Sequence, residues 1–299
     1  MLSNNYVLGD DMVYFADKLR EMSGLDTPLS FPDDFLYACE KVCGIEQLVT
    51  NWAEGKTMNI DYDFPFITTL TPFFRFDQGI VSISLPNCSQ MYTCAFQLCS
   101  NLTYVYAPEC KAIGANAFEE CRALSYIYAP EVGNIQAAAF RMCESLESVY
   151  FPKCTAVHGS AFQGCSILTS VVMPSLSSIG ALCFAGTNLE EADFPLCSMI
   201  QENTFNTCTN LKSVYLSKCS LISLAAFFGC TALESLVLLS SKVVEIYNYS
   251  TTFASTPILS SEYLGYWGSI YVPESLVSAY QAHLRWKYLS SRICAYISN

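Results

Sequence analysis

A phenylalanine returns at Phe96, Phe118, Phe140, Phe162, Phe184, Phe205 and Phe227, at intervals of 22, 22, 22, 22, 21 and 22 residues. A unit that short cannot bury an apolar face alone, so a period held this closely dictates stacking of successive units into a solenoid. Such a body offers an extended surface rather than a deep cleft.

Other columns align on the phenylalanine. Five residues before it stands an aliphatic (Ile113, Ile135, Val157, Ile179, Ile200, Ile222), and three after it a cysteine (Cys99, Cys121, Cys143, Cys165, Cys208, Cys230). Six after it comes leucine, at Leu102, Leu124, Leu146, Leu168, Leu211 and Leu233. Leu189 arrives one place early, which puts a one-residue deletion between Phe184 and Leu189. A proline closes each extended run, from Pro86 through Pro195, until Ser217 replaces it.

The run from Leu102 to Pro108 predicts a strand with Leu102, Val105 and Ala107 inward and Tyr104 and Tyr106 outward, ended by a proline that cannot donate to a ladder. The half from Ile113 to Phe118 is too short for several helical turns and reads as an irregular or 3₁₀ segment whose Phe plugs the core. With strands about 4.8 Å apart, about eight coils make a rod on the order of 40 Å long.

The succession Leu102, Val105, Ala107, Pro108, Cys110, Ile113, Gly114, Ala117, Phe118 and Cys121 resembles the unit of BspA-like bacterial leucine-rich repeats, over about residues 80–240 with a further strand at Ile270–Pro273. The resemblance implies a right-handed solenoid with a parallel β-sheet on one face, to which the residues at the two ends add helical caps. The expected organisation is a small α-helical module at 1–56, an extended cap at 57–79, the solenoid at 80–240, and a last strand with a helical cap at 241–299. In the first module, apolar stripes at Met12, Phe15, Leu19, Met22 and at Phe35, Ala38, Cys39, Val42 predict two helices ended by Gly24 and Gly44. Phe15 to Arg20 and Pro28 to Asp33 resemble a short module of phage and prophage tail-associated proteins. At the other end, Trp286 and Ile293 are spaced to pack on the last coil.

Apolar residues make up 52% of the chain and charged ones 14%, as inward columns on both sides of a coil require. No apolar run is long enough for a membrane span. Net charge is −12, with thirteen acids against five bases in residues 1–79 and fourteen against ten beyond, and no basic patch that would neutralise nucleic-acid phosphates. The first residues lack the basic start and apolar core of a secretory signal. The expected location is extracellular, cell-surface or virion-associated, with the cytoplasm as the alternative.

Of sixteen cysteines, eleven fall in two columns, the six above and Cys88, Cys110, Cys154, Cys197 and Cys219. Parallel side chains on a ladder aim badly for disulfides, so these read as buried free thiols. Catalytic raw material is sparse: the two histidines are His158 and His283, and the Cys39–Cys43 pair lies on a predicted helix with no second ligand pair. No cofactor or metal site is expected. Glu190, Glu191 and Asp193 form an acidic cluster. Glu191 and Asp193 point outward from one strand about 7 Å apart, a geometry open to glycoside hydrolysis, a weak cation site or a solvated patch.

The two outward columns run Ser82, Tyr104, Tyr126, Ser148, Ser170, Glu191, Ser213, Ser235 and Ser84, Tyr106, Tyr128, Tyr150, Val172, Asp193, Tyr215, Val237. Tyr104, Tyr106, Tyr126, Tyr128 and Tyr150 therefore share one patch across three coils. Flat amphipathic rings suit a sugar or a protein. They equally stabilise a sheet by cross-strand packing, and an oligomer contact is a third use. The functional expectation is a non-catalytic binding or adhesion protein meeting a cell-surface glycan or protein, with Tyr215, Glu191 and Asp193 as further contacts. The alternatives are a structural phage or prophage tail component docking through its N-terminal module and, remotely, a glycoside hydrolase.

Overall fold

The structure, a computed structural model, describes residues 61–63, 69–70, 74–260, 262 and 265–297. The helices expected within 1–56, the tail-like module and the Cys39–Cys43 pair lie outside the described residues.

Each coil contributes one strand to each of two parallel ladders. The first face takes Asp61–Asp63, Ser82–Ser84, Tyr104–Tyr106, Tyr126–Tyr128, Ser148–Tyr150, Ser170–Val172, Glu191–Asp193, Ser213–Leu216, Ser235–Leu238, Ser269–Val272 and Ile293–Ala295. Inward residues such as Leu102, Val105 and Ala107 are fully buried, while Tyr104 between them is exposed, as the period-two pattern predicts.

The second half of the coil differs from the sequence expectation. Two-residue strands, Ala112–Ile113 and its equivalents from Thr69–Leu70 to Ser178–Ile179, pair as a six-stranded parallel ladder, and three more continue at Met199–Ile200, Leu221–Ile222 and Glu245–Ile246. A single inward aliphatic per strand gives no alternation to read, which is why the segment looked irregular. A turn follows in which alternate amides act differently. Asn116, Phe118 and Glu120 donate to Ala137, Ala139 and Arg141 of the next coil, and Ala117, Glu119 and Cys121 close turns within their own. This alternation needs a left-handed residue two before and two after the phenylalanine. Asn116 and Glu120 have φ of 57° and 58°, and the same two places are left-handed in every coil from Phe96 to Phe227.

The phenylalanines form a continuous stack through the core, with centroids 5.1–5.8 Å apart and planes within 12° of parallel. Each pair contributes roughly 1 kcal/mol beyond its buried area. Phe74 and Phe253 extend the stack by one ring at either end, at 5.4 and 5.8 Å. Asp61–Asp63 and Thr69–Leu70 pair in register with the following coil. Coil geometry thus reaches outside 80–240 on both sides.

Both ladders break at the 21-residue coil, between Ser170–Val172 and Glu191–Asp193 on the first face and between Ser178–Ile179 and Met199–Ile200 on the second. The shortened coil cannot keep its strands in step with its neighbour. The first face also breaks between Tyr126–Tyr128 and Ser148–Tyr150, where the inward column changes from Ala129 to the much larger Phe151, packed at 32° to Phe140.

Among the described residues the C-terminal cap contains two short α-helices, Tyr249–Thr252 and Val277–Ala282, the second between 3₁₀ turns Glu274–Leu276 and Lys287–Arg292. The last strand is Ile293–Ala295, paired in parallel with Ser269–Val272. Ile293 thus adds a strand as well as packing on the end. Trp286 is fully buried and its indole N–H donates to the Val244 carbonyl at 2.6 Å. The Val244 N–H in turn donates to the Tyr280 hydroxyl at 2.9 Å.

Candidate binding face

The two outward columns lie on the first face as the pattern requires. Tyr104 stacks on Tyr126 with centroids 5.7 Å apart, and Tyr106 on Tyr128 at 5.3 Å, with planes 11° and 8° from parallel. Strand register puts these residues directly opposite one another, and the spacing between coils matches ring-on-ring contact. Within each pair the facing sides cover each other, and the outer side of each ring is left uncovered by its partner.

Among the described residues both stacks stop at Tyr126 and Tyr128. Beyond them the ladder is broken, Ser148 follows Tyr126 in its column, and Tyr150 stands 58% exposed. The five tyrosines therefore form two stacked pairs and one ring on a neighbouring strand that does not pair with theirs, rather than an even row. Tyr106 is only partly exposed.

Further along, beside the break at the shortened coil, a shallow and largely open hollow is lined by Thr169, Ser170, Val171, Glu190, Glu191 and Asp193. Glu191 and Asp193 are both exposed. The Lys212 ammonium sits 2.8 Å from Glu190. The hydrogen bond to Glu190 holds its pKa above the usual lysine value, and the charges of Glu190, Glu234 and Glu191 add to the effect. Carboxylates thus outnumber the cation they surround. Among the described residues no group of three or more His, Cys, Asp or Glu side chains is gathered to hold a metal, and His158 is an exposed residue of a turn.

Three positions of the outward columns are not open, Ser82 at 8% exposure among them. Ser213, in register with Glu191 and Ser235, and Val237, flanked in register by Tyr215 and Tyr271, are 8% and 2% exposed. Val237 is covered by the two larger tyrosines that flank it. Tyr215, opposite Asp193, stays exposed. Sequence reasoning missed Thr169 and Val171 as walls of the hollow, although the deletion between Phe184 and Leu189 marked the place. It also missed the exposed Trp267, whose ring lies 3.8 Å beneath the Arg292 guanidinium.

Buried thiols line the opposite side of the core. Cys121, Cys143, Cys165, Cys208 and Cys230 each donate to the phenylalanine carbonyl of the preceding coil at 2.9–3.1 Å. In the coil that lacks this cysteine, the Thr187 hydroxyl donates to Phe184 of its own coil at 2.8 Å. All described cysteines are free.

Comparison with known proteins agrees with this architecture. No curated protein sequence matches the chain. Among solved structures, a Treponema pallidum leucine rich repeat protein is 27% identical over 56% of this chain and 73% of its own, with a TM-score of 0.42. A leucine rich cell surface protein from Faecalibacterium prausnitzii is 17% identical over 61% and 78%, with a TM-score of 0.35. The pneumococcal vaccine antigen PcpA is 13% identical over 73% and 79%, with a TM-score of 0.31. The profile of the BspA type leucine rich repeat region matches in six copies over residues 71–155 and 133–258. With most of its described length built from these coils, the chain belongs to the BspA type leucine-rich repeat family.

Proposed function

We propose that this chain is a non-catalytic binding protein that presents the tyrosine-bearing face of its solenoid to a glycan or protein on a cell surface. The observation that carries this reading is the outward group Tyr104, Tyr106, Tyr126, Tyr128 and Tyr150, four of them exposed and Tyr106 partly so, on a ladder whose pairing ends after Tyr126–Tyr128. A ring placed only to stabilise strands gains most by stacking on both sides. Tyr150 stands across the break from Tyr128 with the largest exposure of the five. Glu191, Asp193 and Tyr215 extend the same face. No helix among the described residues is long and apolar enough to cross a membrane.

The test is binding of the purified chain to a glycan array and to intact bacterial and epithelial cells, beside a variant with the five tyrosines changed to Ser. Circular dichroism establishes that the variant keeps its fold. Loss of binding in the folded variant is the expected result. Binding retained by the variant removes the site from this face, and a large loss of thermal stability with unchanged binding assigns the rings to sheet stabilisation.

A further inference from the structure

Among the described residues six large apolar side chains are more than half exposed, and five of them, Tyr247, Tyr266, Leu284, Tyr288 and Ile297, lie beyond residue 240. The surplus of exposed apolar surface is therefore concentrated at the C-terminal end of the solenoid. Several of these side chains are drawn into one group. Tyr288 stacks on Tyr249 with centroids 4.9 Å apart. Arg285, next to Leu284, reaches the Ile246 carbonyl, next to Tyr247, at 2.6 Å. An exposed apolar group with a polar rim marks a contact with another macromolecule.

The charge of this end runs against that of the chain. From Ile270 to Asn299 three bases, Arg285, Lys287 and Arg292, stand against one acid, Glu274. Glu245 approaches Arg285 and His283. Lys287 lies over the Tyr288 ring at 5.1 Å and Arg292 over the Trp267 ring at 3.8 Å, and neither makes an ion pair among the described residues. A surface of this kind is complemented by a segment that is both apolar and acidic.

The chain carries such a segment. Residues 1–60 hold ten acids against four bases, and Met12, Phe15, Leu19 and Met22 are interspersed with Asp10, Asp11, Asp17 and Glu21. The segment joins the solenoid at Asp61–Asp63, the outermost strand of its sheet, whereas Ile293–Ala295 is the outermost strand of the sheet at the opposite end. Ten strand spacings, about 48 Å, separate the two within one chain. A second copy placed end to end brings its own residues 1–60 to the cap without crossing that distance.

We infer that the C-terminal end of the solenoid is a docking site for the acidic N-terminal segment, residues 1–60, of a second copy of this chain. Tyr247, Leu284 and Tyr288 receive its apolar side chains, and Lys287 and Arg292 its carboxylates. The contact joins two different surfaces, so it is heterologous and leaves one unused end on each copy, from which assembly continues. It is separate from the tyrosine face and does not depend on the role proposed for it.

The experiment is sedimentation velocity of the full chain from about 1 μM to about 200 μM, at about 50 mM and about 500 mM salt. Beside it run a cap variant, Leu284→Ser/Lys287→Glu, and a segment variant, Asp10→Asn/Asp11→Asn/Asp17→Asn/Glu21→Gln. Circular dichroism establishes that both keep the fold, and Lys287→Glu alone serves as a milder cap variant. The unaltered chain should form species that grow with concentration and associate at least about tenfold more weakly at high salt. Each variant alone should associate at least about tenfold more weakly than the unaltered chain. An equimolar mixture of the two should form a one-to-one pair and nothing larger, because each keeps the end that the other lacks. A chain that stays monomeric at low salt throughout the range overturns the inference. So does association that neither variant weakens, or a mixture that associates no better than its parts.

Discussion

The Cys121 sulfur lies 2.9 Å from the Phe96 carbonyl one coil back, and that carbonyl also accepts the Cys99 amide within its own coil at 3.0 Å. The cysteine column therefore fills space and also satisfies a second lone pair on a fully buried carbonyl, with a weak donor small enough for the site.

Alkaline lability follows from that arrangement. Burial pushes Cys165 up to about 12 and Cys208 to about 11, and it likewise raises Cys88, Cys110, Cys143, Cys154, Cys183, Cys197, Cys219 and Cys230. Unfolded thiols ionise near about 8.5. Because the folded pKa values are the higher, this stability is fully present below about pH 8.5 and is lost as pH rises toward 11–12. Each thiol contributes a slope of about 1.4 kcal/mol per pH unit in that window. Melting temperatures should be flat from about pH 6 to 8 and fall steeply above about 9. A flat profile to pH 10 would mean that the thiols are not held in the core.

A second prediction concerns Glu119, only 5% exposed. Burial opposes its charge, but hydrogen bonds from Asn116, Arg141 and Gln97 outweigh that and hold its pKa below the usual glutamate value. Gln97 Nε2 donates at 2.6 Å and Arg141 Nε at 2.7 Å, so the carboxylate ties three coils together. With the folded pKa depressed, its contribution is present above the unfolded value of about 4.3 and is lost as pH falls through the folded one. Glu119→Gln should cost about 2 kcal/mol at neutral pH, since half-exposed Arg141 can turn to water, and should flatten the acid limb of the stability profile. Urea unfolding at pH 7 and at pH 3 measures both effects.

The coil was legible in the sequence because its inward columns repeat with the chain's own period, and the tyrosine face followed from period two within each strand. What escaped depended on relations between coils. Phe74 stands 22 residues before Phe96 but is followed by Asp77 where the pattern wants cysteine, and Phe253 comes 26 after Phe227. Both nevertheless join the ring stack, since the geometry of the rings and not the spacing decides membership. The stacking of tyrosines in pairs and the end of strand pairing before Tyr150 depend on how neighbouring coils meet, which no single column records. The left-handed sites escaped too. Leu98, Met142 and Leu182 occupy them in place of the usual Gly or Asn, because cross-coil hydrogen bonds impose the conformation.

Those sites yield a prediction with opposite signs at adjacent residues. Ala138 has φ of 54°, a conformation that costs an L-residue about 1–2 kcal/mol, whereas glycine adopts it freely but orders at a cost of about 0.5–1. Ala138→Gly should leave stability unchanged or raise it by up to about 1 kcal/mol. Ala139→Gly, one residue on and facing the core, should cost about 1 kcal/mol. Denaturant midpoints of the two variants test this, and equal losses would refute the left-handed assignment.

The final prediction addresses how the solenoid ends. Trp286 closes the phenylalanine stack at 6.1 Å from Phe253 and meets Tyr280 edge-on at 5.5 Å. Its indole donates to the Val244 carbonyl, and Arg285 donates to the Ile246 carbonyl at 2.6 Å. The cap therefore satisfies backbone groups that a further coil would otherwise take up. Trp286→Ala removes a fully buried ring and should cost about 3–5 kcal/mol. In a nearest-neighbour solenoid that loss falls first on the adjoining coil. Hydrogen exchange should accelerate in Ser235–Leu238 and Glu245–Ile246 while Tyr126–Tyr128 stays protected. Uniform acceleration through all coils would show instead that the solenoid opens as one cooperative unit.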